Sequence, residues 1–527
     1  MNSVTRWLRS ERRSLIVVSW LTVLVLAVAL PVWPGVFTVD SLTILGQGVA
    51  NEVTNWYSPI HGWFWGRIDA LGAPVALMLV LGVSAFVLGS YFFLRLWLGQ
   101  FASLIAVSFI VLWPPVYGLL GWVGRDIWFT AYLMLSFALA GRALRGVHPR
   151  LTGGAAIGLA ILAVDTRQNA FPVLVAAVAM VAFALARHHD LRSALLRASA
   201  VVAVGLVGVV ALLGLQRLVT SHQHFPSEHL YLSDLIALSV LRDEMLLPPD
   251  LFPSQSVAVA REAMHPGRIL YLGEQVAQED GTVRLEGEIA YLDTSPAGEE
   301  LNARYAKLWR DAILSDLPGY LTIRYDRYLE QLALSGGAQD PYYGVTDALD
   351  WGASEELREQ MYRYYSVTDE LSRQRSGQLQ QTFTGLNEVR LQYLEAARSS
   401  TGDGSLLHAV WIYLLLGLGA SAVLAWKGTE LRALGFAALG FLMLMQAVLF
   451  VFAPVATFRY QYPTVVFGML MTVAAGAVLL HSRHVDRSTE AALDVETLVP
   501  PKTDRERGTT SSTAFRHWGW WPSPARS

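Results

Sequence analysis

The sequence predicts an all-α polytopic membrane protein with about ten transmembrane helices and one large polar domain between the seventh and the eighth. Hydrophobic residues make up 53% of the 527 residues, charged residues only 16%, and the mean hydropathy is +0.37. A soluble globular chain carries roughly 25% charged residues. Apolar runs also recur along the chain at lengths near the 20 or so residues that a helix needs to cross a bilayer.

Charge and cysteine content exclude several classes of site. The formal net charge is −3, so the composition gives no case for a nucleic-acid partner. The chain has no cysteine, which excludes disulfides, thiolate nucleophiles and cysteine metal sites. In a chain expected to expose residues outside a cell, this absence favours a bacterial source.

The N-terminal transmembrane module is predicted to cover residues 1–219, with a first outer loop at 34–73. Its apolar runs are at 15–33, 74–93, 101–120, 127–144, 151–169, 170–186 and 194–218. The first run is long and is followed by Pro31 and Pro34, which indicates a helix that is retained. A cleavable signal peptide ending near Ala29 is the alternative.

Residues 220–405 have a different composition, with roughly twice as many acidic as basic residues. Their pattern predicts a mostly helical extracytoplasmic domain. A C-terminal transmembrane module at 406–481 follows, with apolar runs at 406–426, 431–455 and 462–480. The tail at 482–527 is rich in Ser, Thr, Pro and charge and is predicted to be disordered.

Basic residues in the short loops predict the orientation, because such loops are enriched in Lys and Arg on the cytoplasmic side. The N-terminal tail carries Arg6, Arg9, Arg12 and Arg13, and the loops on the same side hold most of the other short-loop cations. Both termini are therefore expected in the cytoplasm of a cell whose plasma membrane holds the chain. The domain at 220–405 is expected outside.

Ionisable residues cluster on the predicted outer side, where each is costly near membrane depth and therefore indicates function. They lie at helix ends or in outer loops: Asp40, His61, Arg125, Asp126, Asp165, Arg167 and Arg459. They come from separate parts of the sequence yet fall in the leaflet that the polar domain would cover. This favours a cavity between the membrane helices and that domain.

Simpler explanations exist for each of these residues. Asp40 and Asp126 could cap helices, Arg125 could contact lipid phosphate, and Asp165 and Arg167 could neutralise each other. The tryptophans of the first outer loop, Trp56 among them, could serve only as interfacial anchors.

The order of these motifs resembles the GT-C superfamily of integral membrane glycosyltransferases, which use polyprenyl-phosphate-linked sugars. The motifs are Asp40 in the first outer loop, the Arg125-Asp126 pair, Arg167-Gln168-Asn169, and Arg459-Tyr460-Gln461-Tyr462-Pro463. The sequence is most similar to a poorly characterised bacterial branch. The resemblance covers the membrane part, and in the polar domain only 234–239 and 318–321.

The resemblance implies roles for individual residues. Asp40 would be the catalytic base that takes a proton from the attacking acceptor, and Asp126 a second acidic group. Together they would be the ligands if a divalent cation such as Mg²⁺ or Mn²⁺ is used; no other cofactor is implied. Arg459, with Arg125 or Arg167, would neutralise the departing polyprenyl phosphate. The groups implied to line the site or the acceptor are His61, Tyr57, Trp56, Asp165 and Tyr460.

One departure from the family pattern concerns the segment Trp56-Tyr57-Ser58-Pro59, where a Trp-His-x-Pro segment is usual. Tyrosine does not perform the same proton chemistry or metal ligation at neutral pH, so His61 is the candidate replacement. The predicted function is therefore transfer of a sugar, with inversion, from a membrane-held polyprenyl phosphate to an envelope glycan, lipid or protein. A transporter or flippase for an envelope lipid and a non-catalytic scaffold are the alternatives.

Overall fold

The computed structural model describes residues 3–31, 33, 35, 39–55, 57–70, 76–248, 256–263, 275–277, 283–285, 296–335, 406–453 and 458–498. The described chain is mostly helical, which confirms the all-α prediction. Its strands are two short pairs, a parallel pair of β1 (Val53–Thr54) with β2 (Thr220–His222) and an antiparallel pair of β3 (Gln275–Ala277) with β4 (Val283–Leu285).

The first half of the chain contains ten α-helices among its described residues. They are α1 (Ser3–Ala29), α2 (Val39–Ala50), α3 (Pro59–Ala70), α4 (Ala76–Leu94), α5 (Gln100–Val111), α6 (Pro114–Leu120), α7 (Arg125–Leu144), α8 (Pro149–Thr166), α9 (Phe171–Ala186) and α10 (Leu191–Val219).

The second half begins with polar helices, here called the intervening helices, and ends with apolar ones. The intervening helices are α11 (Ser227–Arg242), α12 (Val257–Ala263), α13 (Pro296–Ser315) and α14 (Leu317–Gln331). The apolar helices are α15 (Val410–Lys427), α16 (Arg432–Phe452) and α17 (Phe458–Leu498). The helix α17 runs past the predicted boundary at residue 481. The rest of the predicted tail, 499–527, lies outside the described residues, as does all of 336–405.

Six described helices are long and apolar enough to cross a membrane, so the predicted count of ten spans is not confirmed. They are α4, α7, α10, α15, α16 and the Phe458–Ser482 part of α17. The apolar run at 101–120 forms α5 and α6, which are bent by 76° and add a seventh span only if counted together. Leu112 and Trp113 separate those two helices, and α6 begins at Pro114, which cannot continue the hydrogen-bonded ladder of the helix before it.

The other runs are too short or too polar to pass as spans. The apolar part of α1, Ser14–Ala29, and the helix α9 are shorter than a span. The helix α8 carries Arg150 near its start and Asp165 near its end, and these charges lower its apolar character. Length and charge thus explain the difference from the predicted count.

One apolar core joins the two membrane modules. Phe467 of α17 lies at its centre, with ring centroids 4.9 Å from Phe137 of α7, 5.1 Å from Phe441 of α16 and 5.7 Å from Phe93 of α4. A Cβ atom on Gly468 would lie only 2.4 Å from a backbone oxygen of α15. In a membrane no hydrophobic effect drives helices together, so small residues stabilise helix packing by letting the backbones approach closely.

The intervening helices have a core of their own. Leu235 and Leu238 of α11 are fully buried against Tyr305 of α13 and Tyr320 of α14. Tyr460 at the start of α17 packs against this core and against the membrane core as well. The two parts of the structure therefore meet at the first turn of α17.

The segment predicted to be the first outer loop contains a hairpin of α2 and α3 that packs through glycine. A Cβ atom on Gly66 would lie 2.0 Å from the backbone oxygen of Gly48, which is closer than any side chain tolerates. The backbone of Asn51 has a φ of 59°, a left-handed conformation that asparagine adopts more readily than most residues. These features bring α2, which begins one residue before Asp40, against α3.

We expect Gly66→Ala to lower the free energy of unfolding by about 2 kcal/mol, because the added methyl group must push α2 and α3 apart. Thermal unfolding in detergent micelles measures this loss. Gly154→Ala is the matched control, since a Cβ atom there meets nothing within 4 Å. Equal stability of the two variants would contradict the packing described for the hairpin.

Candidate functional site

Four segments that are distant in sequence meet at one end of the membrane helices. They are the start of α3, the start of α7, the residue after α8 and the start of α17. The predicted site residues that these segments bring together are Tyr57, His61, Arg125, Asp126, Arg167, Arg459 and Tyr460. These predicted site residues therefore lie close together in the structure.

An ion pair between Arg167 and Asp126 is at the centre of this site. The side chains are 6% and 12% exposed, respectively, so water contributes little to their solvation. The guanidinium carbon of Arg167 also lies 4.8 Å from the ring centroid of Tyr460. The Nε atom of Arg167 is buried and has no hydrogen-bond partner among the described residues.

Two more arginines flank this ion pair, each over the face of a tyrosine. The guanidinium carbon of Arg125 lies 5.1 Å from the ring centroid of Tyr57, and that of Arg459 lies 5.9 Å from the ring centroid of Tyr460. Both arginines are within electrostatic range of Arg167. Cation–π contacts stabilise guanidinium groups near an apolar region. Arg125, Arg167 and Arg459, here called the arginine cluster, therefore lie together, with the carboxylate of Asp126 paired to Arg167.

His61 is buried between two tryptophan rings rather than paired with a carboxylate. Its ring centroid lies 6.1 Å from that of Trp65 and 5.6 Å from that of Trp128, both in edge-on geometry. Burial, and to a lesser degree the charge of Arg125, lower the pKa of His61 to about 4. At neutral pH the imidazole is therefore uncharged, and it supports α3 against α7.

Asp165 holds the start of α3 and does not pair with Arg167. Its carboxylate accepts hydrogen bonds from Ser58 Oγ at 2.6 Å and from Gln216 Nε2 at 2.9 Å. Backbone N–H groups of Ile60 and His61 donate to the same carboxylate. The interaction is favourable because the first N–H groups of a helix lack partners within the helix.

The backbone after α8 explains why Asp165 and Arg167 separate. Asp165 is still helical, whereas Arg167 is extended, with φ −145° and ψ 128°. The change in conformation sends the Asp165 carboxylate towards α3 and α10 and the Arg167 guanidinium towards α7. The sequence alternative in which these two residues neutralise each other is therefore not what the structure shows.

The chain between α2 and α3 is hydrogen-bonded to the chain that follows α10. The side chain of Asn55 donates to the backbone oxygen of His224 at 3.0 Å and accepts from its backbone N–H at 2.6 Å. Asp40 is the second residue of α2, but its side chain lies outside the described residues, and so does the whole of Trp56.

Asp126 was predicted to be a ligand of a divalent cation, if one is used. Among the described residues, no group of three or more His, Asp or Glu side chains is arranged to hold a metal ion. Asp126 directs its carboxylate at Arg167. Its described role is to neutralise and orient that guanidinium.

A second buried charge cluster was missed by the sequence analysis. Asp234 of α11, fully buried, is ion-paired with Arg324 and, at 3.0 Å, with Arg327, both of α14. It also accepts from Trp309 Nε1 at 2.8 Å. In a polar helix, arginines usually face solvent, so the sequence offers little reason to expect that Arg324 and Arg327 are buried. Their spacing of three residues, which places them on the same helix face, is the one signal that indicates a shared partner.

The pH dependence of stability tests the environment of His61. Because its pKa falls from 6.5 to about 4 on folding, the unfolded chain binds a proton in that interval and the folded chain does not. The free energy of unfolding should therefore decrease as pH falls from 6.5 to 4, by about 3 kcal/mol for this residue alone. His61→Phe should remove this part of the decrease, measured by unfolding at stepped pH.

His189→Gln is the matched control for that measurement, because His189 is exposed. It should leave the pH dependence as it is in the wild type. A His61→Phe variant with the wild-type dependence would show that the imidazole is not buried as described.

We expect Asp165→Ala to lower the free energy of unfolding by about 3 kcal/mol, because Ser58, Gln216 and the start of α3 lose a buried acceptor. Asp190→Ala is the control, since Asp190 accepts from the Ser193 N–H at the start of α10 but is exposed. It should cost much less. Thermal unfolding of both variants would contradict the described role of Asp165 if the losses were equal.

Comparison of the chain with models of known protein families, with curated protein sequences and with solved structures found no match. The argument for a function therefore rests on the geometry and charge of the site itself.

Proposed function

We propose that this protein is a membrane-embedded glycosyltransferase. It would move a sugar from a polyprenyl-phosphate donor to an acceptor of the cell envelope, at the outer face of a bacterial plasma membrane. Both termini would then lie in the cytoplasm and the intervening helices outside. The acceptor would be a glycan, a lipid or a protein.

The observation that carries this proposal is the convergence of three guanidinium groups from different helix ends on one place. Arginine presents a planar fork of donors that matches the oxygens of a phosphate. Arg125, Arg167 and Arg459 come from three helix ends, and Asp126 is ion-paired with Arg167. This arrangement supports binding of a phosphate group next to apolar helices.

The same charge would favour the reaction, since negative charge grows on the phosphate as it departs. An acceptor hydroxyl or amine would attack the anomeric carbon of the sugar from the side opposite to the phosphate. The bond between that carbon and the phosphate oxygen would break, and its electron pair would leave with the polyprenyl phosphate. Fixed positive groups at a developing anion are an effective means of stabilising a transition state.

Asp40 would accept the proton that the acceptor loses, and the product would have inverted anomeric configuration. A carboxylate suits this role if it lies within hydrogen-bond reach of the acceptor. The tight packing of α2 on α3 supports the assignment, because α3 also carries His61 and follows Tyr57, both beside Arg125. Asp126, held by Arg167, would act as an orienting group and not as a second acid.

The proposal is tested with purified protein in nanodiscs and a panel of polyprenyl-phosphate monosaccharides, by following release of polyprenyl phosphate. We expect release by the wild type and a fall of about two orders of magnitude or more in Asp40→Asn, the scale expected for loss of a general base. Arg459→Gln should be similarly impaired, because it removes charge that stabilises the leaving group.

Arg67→Gln is the matched control. Arg67 is exposed and also lies over an aromatic ring, 5.5 Å from the centroid of Trp63, but it is outside the arginine cluster. Its variant should retain the wild-type rate. Absence of release with every donor, or equal loss in Arg67→Gln and Arg459→Gln, would contradict the proposal.

A further inference from the structure

One face of α14 is turned towards the membrane helices and contacts them through polar groups. The residues are Arg324, Arg327 and Tyr328, at spacings of three and four that place them on the same side of a helix. All three have hydrogen bonds to α16 or to the residue that follows it. The helix α14 thus joins the two cores of the structure by specific contacts.

The first contact is made on the backbone at the end of α16. Arg324 Nη1 donates to the backbone oxygen of Ala453 at 2.9 Å, and Arg327 Nη1 approaches the same oxygen at 3.4 Å. Ala453 is the cap residue of α16 and lies five positions before Phe458, where α17 begins. The arginines therefore hold one end of the short connection that leads to Arg459.

The second contact runs through side chains. Tyr328 donates its hydroxyl to Gln446 Oε1 at 3.0 Å. Gln446 and Gln461 form a reciprocal amide pair at 3.1 and 3.0 Å, and Gln446 Nε2 also donates to Thr464 Oγ1 at 3.0 Å. Gln461 directly follows Tyr460 in the first turn of α17. The hydroxyl of α14 is thus two hydrogen bonds away from the turn that carries Arg459.

The cost of this arrangement argues that its geometry matters. Asp234 is 0%, Arg324 1% and Arg327 6% exposed, and burying charged groups is expensive even when they are paired. Apolar side chains of similar size could hold two helices together at lower cost. What charged groups add is direction, because a guanidinium that is fixed by Asp234 can present a hydrogen bond to a single backbone oxygen.

We infer that Arg324 and Tyr328 are positioning residues that hold the first turn of α17, and with it Arg459 and Tyr460, in place for the anionic ligand of the site. The intervening helices are then a structural part of the phosphate site and not a separate acceptor-binding module. The value of this placement for phosphate binding rests on the proposed function. The hold on α17 itself does not.

The contact pattern also provides a matched control on the same helices. Arg242 of α11 donates to Asp316 at 3.2 Å, just before α14, and to Ser315 at 2.9 Å. This ion pair joins the intervening helices to each other and has no part in the contacts with α16 or α17. Arg242→Gln should weaken the intervening helices without disturbing the first turn of α17.

The experiment compares the wild type with Arg324→Gln, Tyr328→Phe and Arg242→Gln as full-length proteins in nanodiscs. Hydrogen exchange followed by mass spectrometry reports on the amides at the end of α16 and the start of α17. We expect exchange there to accelerate about tenfold in Arg324→Gln and about fivefold in Tyr328→Phe, which loses one hydrogen bond. In Arg242→Gln that region should exchange as in the wild type.

Polyprenyl phosphate without a sugar is the ligand probe in the second measurement. Its Kd should rise about tenfold or more in Arg324→Gln, since small misplacement of a binding group is costly. It should rise about fivefold in Tyr328→Phe and stay within about twofold of the wild type in Arg242→Gln. A general loss of stability would raise the Kd in Arg242→Gln as well, so equal effects would overturn the inference.

The two readouts separate the inference from the proposed function. If the wild type does not bind polyprenyl phosphate but exchange accelerates as expected, the proposed function fails and the positioning role stands. If exchange at the start of α17 is unchanged in Arg324→Gln and in Tyr328→Phe, the positioning role fails. Should Arg324→Gln not fold, Tyr328→Phe alone decides, because it keeps every buried charge paired.

Discussion

The buried ion pair between Arg167 and Asp126 is the interaction on which the site depends. An arginine with so little exposure needs a carboxylate within reach, so the start of α7 and the end of α8 are held together. The same guanidinium lies over Tyr460, which brings the start of α17 to the same place. The pair thereby brings together the helix ends that also carry Arg125 and Arg459.

A second carboxylate, Asp165, organises the opposite side of the site by a different means. It accepts hydrogen bonds at the start of α3 and from α10, and so holds the α2–α3 hairpin against the apolar helices. Apolar packing adds to this hold, since Ile44 and Leu45 of α2 and Trp65 of α3 are buried in the membrane core. The two aspartates thus have distinct physical roles, one as partner of a cation and one as cap of a helix.

Contacts between the intervening helices and the membrane helices are as specific as those within the site. Asp234 is ion-paired with two arginines of α14, and these contact the residue that follows α16. That residue, Ala453, lies six positions before Arg459. Polar contacts of this kind define direction, whereas apolar packing mainly defines distance. A binding region built at such a boundary can combine a charged ligand group with an apolar chain that stays in the lipid.

Local residue patterns in the sequence determined the helical fold class, the apolar runs and the clustering of Arg125, Asp126, Arg167 and Arg459, because each depends on hydrophobicity or on position near a helix end. Only the tertiary structure decided the partners. Arg167 pairs with Asp126 and not with nearby Asp165, since the backbone turns from helical to extended between them. Asp234 and Arg324 likewise form a buried ion pair only because α11 packs on α14. The two residues are 90 positions apart, so no local sequence pattern predicts their contact.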